Sequence, residues 1–169
     1  SPTPEVTTNT PRQTLFVIPT ETPVPTGAQP EPDVTETPEP TPEQPAGTVI
    51  GSGAFDSETG VGLNTHTVWT AAEQSDGSVK LTLSVYARSY TMEIGRRAIG
   101  ISVNGAEASG MTRSFSVNSP NAQTDTLIYS YATTVEKGSV TISVDWNYKG
   151  QYSGQELDVI SSSTIIPIS

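Results

Sequence analysis

The stretch that decides the fold is Ser139 to Lys149, SVTISVDWNYK. Its apolar side chains occupy every second position, and polar side chains occupy the positions between them. The apolar set is Val140, Ile142, Val144, Trp146 and Tyr148. Successive side chains of a β-strand point to opposite sides, so this period of two predicts a half-buried strand with one apolar face.

The preceding run, Leu127 to Val135, has the same period. Lys137-Gly138 lies between the two runs, and a short pair of this kind between alternating segments predicts a tight hairpin turn. A two-residue turn would place Tyr129 opposite Trp146. We therefore expect the two strands to be neighbours in one sheet.

Further strand segments lie between short turn signals along residues 48–169. They are VIGSGAF (49–55), THTVWTAAE (65–73), VKLTLSVYA (79–87), residues 92–103, residues 106–117 and residues 157–168. The glycine-rich first segment is expected at a sheet edge. No helical period occurs, so the fold class expected is all-β: a two-sheet antiparallel sandwich of immunoglobulin or fibronectin type, with a jelly roll as the alternative.

The turn at Asp76-Gly77 allows two registers. A two-residue type I′ turn would pair Glu73 with Lys80 and bury Val68, whereas a type I turn followed by a glycine bulge would bury Trp69. An indole buries far more apolar area than a valine. We therefore predict that Trp69 faces the core.

Asn104-Gly105 between apolar runs is a strong hairpin signal, because both residues tolerate positive φ. Its register, carried along the strands, sets Arg96 opposite Arg113. Like charges directly across a ladder repel, so we expect a bulge near Gly95 to separate them. The alternative interpretation is an anion site formed by Arg96, Arg97 and Arg113.

Proline content divides the chain near Gly47. Of the 14 prolines, 12 precede Gly47, in units such as TETPVPT (20–26) and TETPEPTPEQP (35–45). Proline favours an extended backbone and the acidic residues repel one another, so residues 1–47 are predicted to be a disordered stalk and residues 48–169 the folded domain. Leu15 to Ile18 interrupts this composition, either as an inconsequential apolar patch or as a short strand added to a sheet edge.

Charge and cysteine content exclude several classes of function. The net charge is −10, no basic run occurs and cysteine is absent. An acidic chain is repelled by phosphate backbones and anionic lipid, so we expect no nucleic-acid partner and no direct membrane insertion. Without cysteine there is no thiolate nucleophile and no Cys-ligated zinc. We expect no cofactor and no metal, and a monomer.

The Pro/Thr-rich segments resemble the spacers of bacterial lipoproteins and wall-anchored proteins, and a cysteine-free β-domain behind such a stalk resembles the exported surface proteins of Gram-positive bacteria. The resemblance covers the stalk and is compositional. It implies an extracellular or cell-surface location, with the domain held away from that surface.

Aromatic side chains near the end of the quoted stretch are candidate ligand-binding residues. Trp146, Tyr148 and the nearby Tyr152 either belong to the core or form a platform on which a sugar ring or a peptide stacks. Tyr152 follows in a Gly-flanked segment, GQYSG, that is expected to be a loop.

Two other features of the sequence are candidate sites. His66 is the one histidine and no nucleophile motif accompanies it. The segment DSETG (56–60) carries part of a calcium-loop pattern, but a solvated turn is the expected structure.

These observations lead to three hypotheses about function. The first is a non-catalytic extracellular module, for adhesion, recognition or structural spacing, with a cell-surface glycan or protein as its ligand. The second is a carbohydrate-binding sandwich that uses exposed aromatic side chains. The third, the least favoured, is a small hydrolase with His66 beside a Ser or Asp in a pocket.

Overall fold

The structure is a computed structural model that describes Pro42 and residues 46–169. The predicted stalk therefore lies outside the described residues, apart from Pro42, Ala46 and Gly47, and the alternatives for Leu15 to Ile18 lie outside them as well. The described part of the chain consists of strands and connections, and it contains no helix able to span a membrane. The strands are β1 (Thr48–Asp56), β2 (Asn64–Glu73), β3 (Val79–Ser89), β4 (Met92–Ile94), β5 (Ala98–Val103), β6 (Ala106–Met111), β7 (Phe115–Val117), β8 (Thr124–Val135), β9 (Gly138–Tyr152) and β10 (Gln155–Ile168).

The strands form two four-stranded antiparallel sheets and one short pair. The first sheet has the order β1-β2-β3-β8, the second has the order β10-β9-β5-β6, and β4 pairs with β7. The apolar faces of the two sheets form a single core between them, so the predicted antiparallel sandwich is confirmed. The strand order differs from the ABED and CFG sheets of antibody constant domains, because β8 lies beside β3 and β5 lies beside β9.

Strand β9 lies in the interior of the second sheet, and its predicted alternation is confirmed. Val140, Ile142, Val144 and Trp146 have no exposed surface. Trp146 pairs with Ile160 of β10 on one side and with Ile99 of β5 on the other. An indole between two branched apolar neighbours is the kind of cross-strand packing that stabilises a sheet.

The predicted hairpin between β8 and β9 is wrong. Strand β8 pairs with β3, where Val135 lies opposite Val79, and the chain then crosses to the other sheet before β9 begins. Both strands do bury an apolar face, and period-two alternation is the same for neighbours in one sheet as for strands facing each other across a core. A salt bridge of 3.2 Å between Lys137 and Glu73 holds the crossing segment to the first sheet.

The β2–β3 turn has the register that buries Trp69, as predicted. Glu73 pairs with Val79, and Trp69 is 9% exposed opposite Leu83. The N–H of Gly77 donates to the carbonyl of Gln74 at 3.0 Å, and Gly77 has a φ of +83°. This is a type I turn followed by a glycine in the left-handed region.

The Asn104-Gly105 hairpin is confirmed, with φ values of +50° and +81° and with Ile101 opposite Ala108. Beyond it the ladder is interrupted at residues 95–97 and 112–114 and then resumes between β4 and β7. The register is unchanged across the gap, since Ala98 pairs with Met111 and Ile94 with Phe115. The bulge expected near Gly95 is therefore an interruption of both arms, and no residue is inserted.

The segment around Tyr152, expected to be a loop, is instead the end of β9 and a tight turn into β10. Tyr152 pairs with Gln155, and Ser153 and Gly154 have φ values of +49° and +79°. The ladder contains a bulge at Lys149, whose φ is +42°. Bulges of this kind let a strand continue while its direction changes, so β9 extends to the end of the sandwich.

Candidate ligand-binding cleft

An open cleft of about 590 Å³ lies at one end of the sandwich. Its walls come from four parts of the chain: the loop after β1, the β3–β4 connection, the loop after β7 and the end of β9. The lining residues are Val61, Tyr90, Thr91, Met92, Glu93, Pro120, Tyr148, Gln151, Tyr152 and Ser153. The volume lies within the range of about 300 to 1,000 Å³ that small-molecule sites occupy.

Strand β9 supplies two of the three tyrosines of the cleft. Tyr148 is 5% exposed, and its hydroxyl donates to the carbonyl of Gln151 at 2.8 Å. Tyr152 is 9% exposed, and its hydroxyl accepts from the N–H of Tyr90 at 3.1 Å. Both phenols are therefore held in place by hydrogen bonds to backbone groups.

Tyr90 is the third tyrosine, and the sequence analysis did not select it. Its ring is 41% exposed, and one part of the ring packs against Gly62. A methyl group at position 62 would lie 3.1 Å from Tyr90 Cε2. Tyr90 is the aromatic surface in the cleft that is most open to a ligand.

A signal for Tyr90 was present in the sequence. The inward positions of β3 are the odd-numbered ones, such as Leu83, Val85 and Ala87, so the even-numbered Tyr90 follows the outward phase. It also comes directly after the last residue of the strand. An aromatic residue in the solvent phase at a strand end is more exposed than one in the middle of an apolar row.

The loop wall of the cleft is tied to the strands by hydrogen bonds. The N–H of Ser119 donates to the hydroxyl of Thr91 at 3.0 Å, and the side chain of Gln123 donates to the carbonyl of Gly62 at 2.6 Å. These bonds fix the residues on either side of Pro120. The walls of the cleft are thus held in place by hydrogen bonds, and a site whose groups are already fixed has a lower entropic cost of binding.

The electrostatic character of the cleft disfavours anionic ligands. Glu93 is the one acidic side chain among the lining residues, and the other polar groups are hydroxyls, an amide and backbone atoms. Burial raises the pKa of Tyr148 above its ordinary value, so this phenol stays protonated at neutral pH. A polar, uncharged ligand with one apolar face fits this set of groups.

Trp146 does not reach the cleft. It has no exposed surface, and it contacts Tyr148 edge to face with ring centroids 5.3 Å apart. Tyr148 and Tyr152 line the cleft, and both are also buried members of the core cluster. Trp146 belongs to the core, which was the alternative interpretation.

Two of the three arginines of the alternative anion site use their side chains to bind backbone carbonyl groups. Arg97 Nε donates to the carbonyl of Tyr148 at 3.1 Å, and Arg96 Nε donates to the carbonyl of Thr112 at 3.3 Å. The N–H of Arg113 donates to the carbonyl of Ile128 at 3.1 Å. The guanidinium groups of Arg96 and Arg97 thus satisfy carbonyl groups of the backbone.

His66 lies on the outward face of the first sheet. Its Nδ1 lies 2.6 Å from Oδ1 of Asp56, and its ring centroid is 6.2 Å from that of Tyr86. Among the described residues Asp56 is the one hydrogen-bond partner of the His66 side chain, and His66 does not line the cleft. The hydrolase hypothesis requires a Ser or Asp beside His66 in a pocket; Asp56 is such a neighbour, but this pair does not line the cleft.

The DSETG segment forms a hydrogen-bonded turn. The N–H of Thr65 donates to the hydroxyl of Ser57 at 2.8 Å, and the Thr59 hydroxyl donates to the carbonyl of Leu63. No cluster of three or more His, Asp or Glu side chains suited to a metal ion occurs within the described ranges.

Comparisons of this chain with protein-family models, with curated protein sequences and with solved structures found no match.

Proposed function

We propose that this chain is a non-catalytic recognition module of an extracellular or cell-surface protein, carried on a Pro/Thr/Glu-rich stalk, and that the end cleft binds its ligand. The single observation that carries the proposal is the cleft itself. Three tyrosines and several uncharged polar groups line it, and backbone hydrogen bonds hold it open. Recognition sites have this composition: an apolar surface with a few placed polar groups.

The location of the cleft also supports the proposal. It lies at an end of the sandwich, where loops and a strand end converge, as binding loops do in other sandwich modules. The stalk composition would hold the domain away from a surface, since 47 extended residues reach roughly 145 Å at about 3.1 Å per residue. A module displayed in this way can contact soluble or neighbouring ligands.

The test is a chemical-shift titration of the full chain against two panels, neutral oligosaccharides and extended uncharged peptides. The expected result is saturable shifts at Tyr90, Tyr152 and their neighbours with one class of ligand, while the ligand is recovered unchanged. Hydrolysis products in the mixture would overturn the non-catalytic assignment. Shifts confined to residues far from the cleft, or no shifts with either panel, would overturn the assignment of the cleft.

Carbohydrate binding is the second candidate function, and the exposure of Tyr90 favours it. The hydrophobic face of a sugar ring packs on a flat aromatic surface, while the sugar hydroxyls need donors and acceptors such as Thr91 and Gln151. We expect Tyr90→Ala to weaken saccharide binding at least about tenfold, a loss of about 1.4 kcal/mol. Tyr86→Ala, on the outward face of the first sheet, is the matched control and should leave the affinity unchanged.

A further inference from the structure

The outer edge of β10 is a long strand edge without a partner among the described residues. Strand β10 (Gln155–Ile168) is the last strand of the second sheet and pairs with β9 alone. Natural proteins usually protect such an edge with charges, proline, bulges or short strand length. In β10 these features occur only near its ends: Glu156, Asp158 and a ladder irregularity between Leu157 and Val159 at one end, and Pro167 at the other.

The middle of β10 has none of these protections. Val159 to Ile166 contains eight residues without a charge, a glycine or a proline. The free N–H and C=O groups of such a segment can bind a further strand. The chain therefore presents an edge of about seven residues that is suited to β-pairing.

Two exposed apolar side chains on this strand are placed symmetrically. Val159 is 42% exposed and Ile165 is 68% exposed, both on the face that points away from the core. Ser162 lies midway between them, three residues from each. An antiparallel pair of identical strands has a two-fold axis, so residues equidistant from the axis lie opposite one another.

We propose that two copies of this chain associate through antiparallel pairing of their β10 edges, centred on Ser162. In this register Val159 lies opposite Ile165 of the second copy, and Ser161 lies opposite Ser163. The two second sheets then become one continuous eight-stranded sheet. If the two strands were centred on another residue of β10, Val159 would no longer lie opposite Ile165 of the second copy. The centre at Ser162 is therefore the one that buries both Val159–Ile165 pairs.

The hydroxyl of Ser162 supports the same centre. Its Oγ is buried and has no hydrogen-bond partner, and an unpaired buried hydroxyl is unfavourable. In the proposed pair the two Ser162 side chains lie on the same face with Cα atoms about 4.5 to 5.5 Å apart. Cross-strand serine pairs at this distance can hydrogen-bond.

The association does not depend on the proposed function of the cleft. The proposed oligomeric state is a dimer, whereas a monomer was expected from the sequence. The interface is isologous, because each copy contributes the same surface, and a two-fold contact of this kind closes after two copies. The expected assembly is therefore a dimer, with no further growth from this edge.

Site-specific cross-linking tests the register, because the chain contains no cysteine. The S162C chain should form a disulfide dimer rapidly under mild oxidation, since its thiols lie directly opposite one another at a distance that suits a disulfide. The S161C and S163C chains should each cross-link poorly alone but form a mixed dimer when combined. Equal and slow cross-linking of S162C and the loop control N121C would overturn the proposal.

Sedimentation equilibrium of the full chain tests the association without a disulfide. We expect a reversible dimer, and Ile165→Lys should raise its dissociation constant at least about tenfold by placing a charge against an apolar residue at both symmetric positions. The matched control is Met111→Lys, which changes an exposed apolar residue on β6, the opposite edge of the same sheet. A monomer at every concentration up to about 1 mM, or equal effects of the two substitutions, would overturn the proposal.

Discussion

The indole of Trp69 lies against the backbone of Gly53, its cross-strand partner in β1. A methyl group at position 53 would lie 2.8 Å from Trp69 Nε1 and 2.9 Å from Cε2. Gly51 is almost as close, at 3.2 Å from Cζ3. Gly51 and Gly53 of the edge strand thus leave space that the indole of Trp69 fills. An aromatic side chain packed over a glycine compensates for the side-chain contacts that the glycine lacks.

Gly53→Ala is expected to destabilise the domain by about 1 to 3 kcal/mol, because the added methyl group overlaps the indole and forces the core to shift. Urea unfolding followed by tryptophan fluorescence measures the change. The control is Gly100→Ala on β5, where nothing lies within 4 Å of an added Cβ. That substitution should be neutral or stabilising by up to about 1 kcal/mol, because it restricts the unfolded chain. Equal losses in both variants would contradict the packing account.

Gly110→Ala is expected to separate the two sheets locally. The phenol of Tyr129 in the first sheet lies over Gly110 in the second, and an added Cβ would be 2.5 Å from its hydroxyl oxygen. A displaced Tyr129 leaves a gap at the β6–β8 side of the core, with a cost of about 1 to 3 kcal/mol. Combining Gly110→Ala with Tyr129→Ala should recover the part of the loss that comes from the overlap. Strictly additive losses would show that the two residues are not in contact.

The ion pair between Arg88 and Asp125 should make a small, pH-dependent contribution to stability. Arg88 Nε lies 2.7 Å from Asp125 Oδ1, and this hydrogen bond lowers the pKa of Asp125. The contribution is present above the ordinary carboxyl pKa of about 3.9 and is lost as the pH falls through the lower value in the folded state.

Asp125→Asn should therefore reduce the free energy of unfolding at pH 7, by at most about 1 kcal/mol because both side chains are partly exposed. The difference in unfolding midpoint between the variant and the parent chain should be smaller at pH 2 than at pH 7. The control is Glu136→Gln, which changes an exposed carboxylate in the β8–β9 crossing. A difference of the same size at both pH values would exclude the ionic explanation.

Tyr148 should contribute to alkaline unfolding. Burial raises its pKa in the folded domain above the value of about 10 for an exposed tyrosine. Between these two values the unfolded chain releases the phenolic proton and the folded domain retains it, so stability falls as the pH rises above about 10.

Tyr148→Phe removes this dependence together with the hydrogen bond to Gln151. We expect a loss of about 1 kcal/mol at pH 7 and a shallower decline of stability above pH 10. Tyr90→Phe is the comparison, because it also removes a phenol from the cleft. An unchanged slope in Tyr148→Phe would show that its phenol ionises alike in the folded and unfolded chains.

The candidate site was predictable in part. Tyr148 and Tyr152 could be selected because an aromatic residue near the end of an amphipathic strand belongs either to the core or to a binding site. The periodicity of the strand does not show at which residue the aromatic side chains become accessible to a ligand. Trp146 and Tyr148 have the same phase and are only two residues apart, yet only Tyr148 reaches the cleft. The loop wall around Thr91 and Pro120 comes from distant parts of the chain, and no local pattern brings these parts together.

By itself the sequence determined the features that depend on near neighbours. These are the strand character of Ser139 to Lys149, the turns at Asp76-Gly77 and Asn104-Gly105, the inward Trp69 and the two-layer class of the fold. Each follows from side-chain alternation or from backbone conformations that glycine and asparagine tolerate. The tertiary structure alone decided which strands are neighbours, because β8 and β9 present the same pattern whether they pair or face each other. That choice depends on burial summed over residues far apart in the chain. It also places the cleft and puts β10 at the edge of its sheet among the described strands.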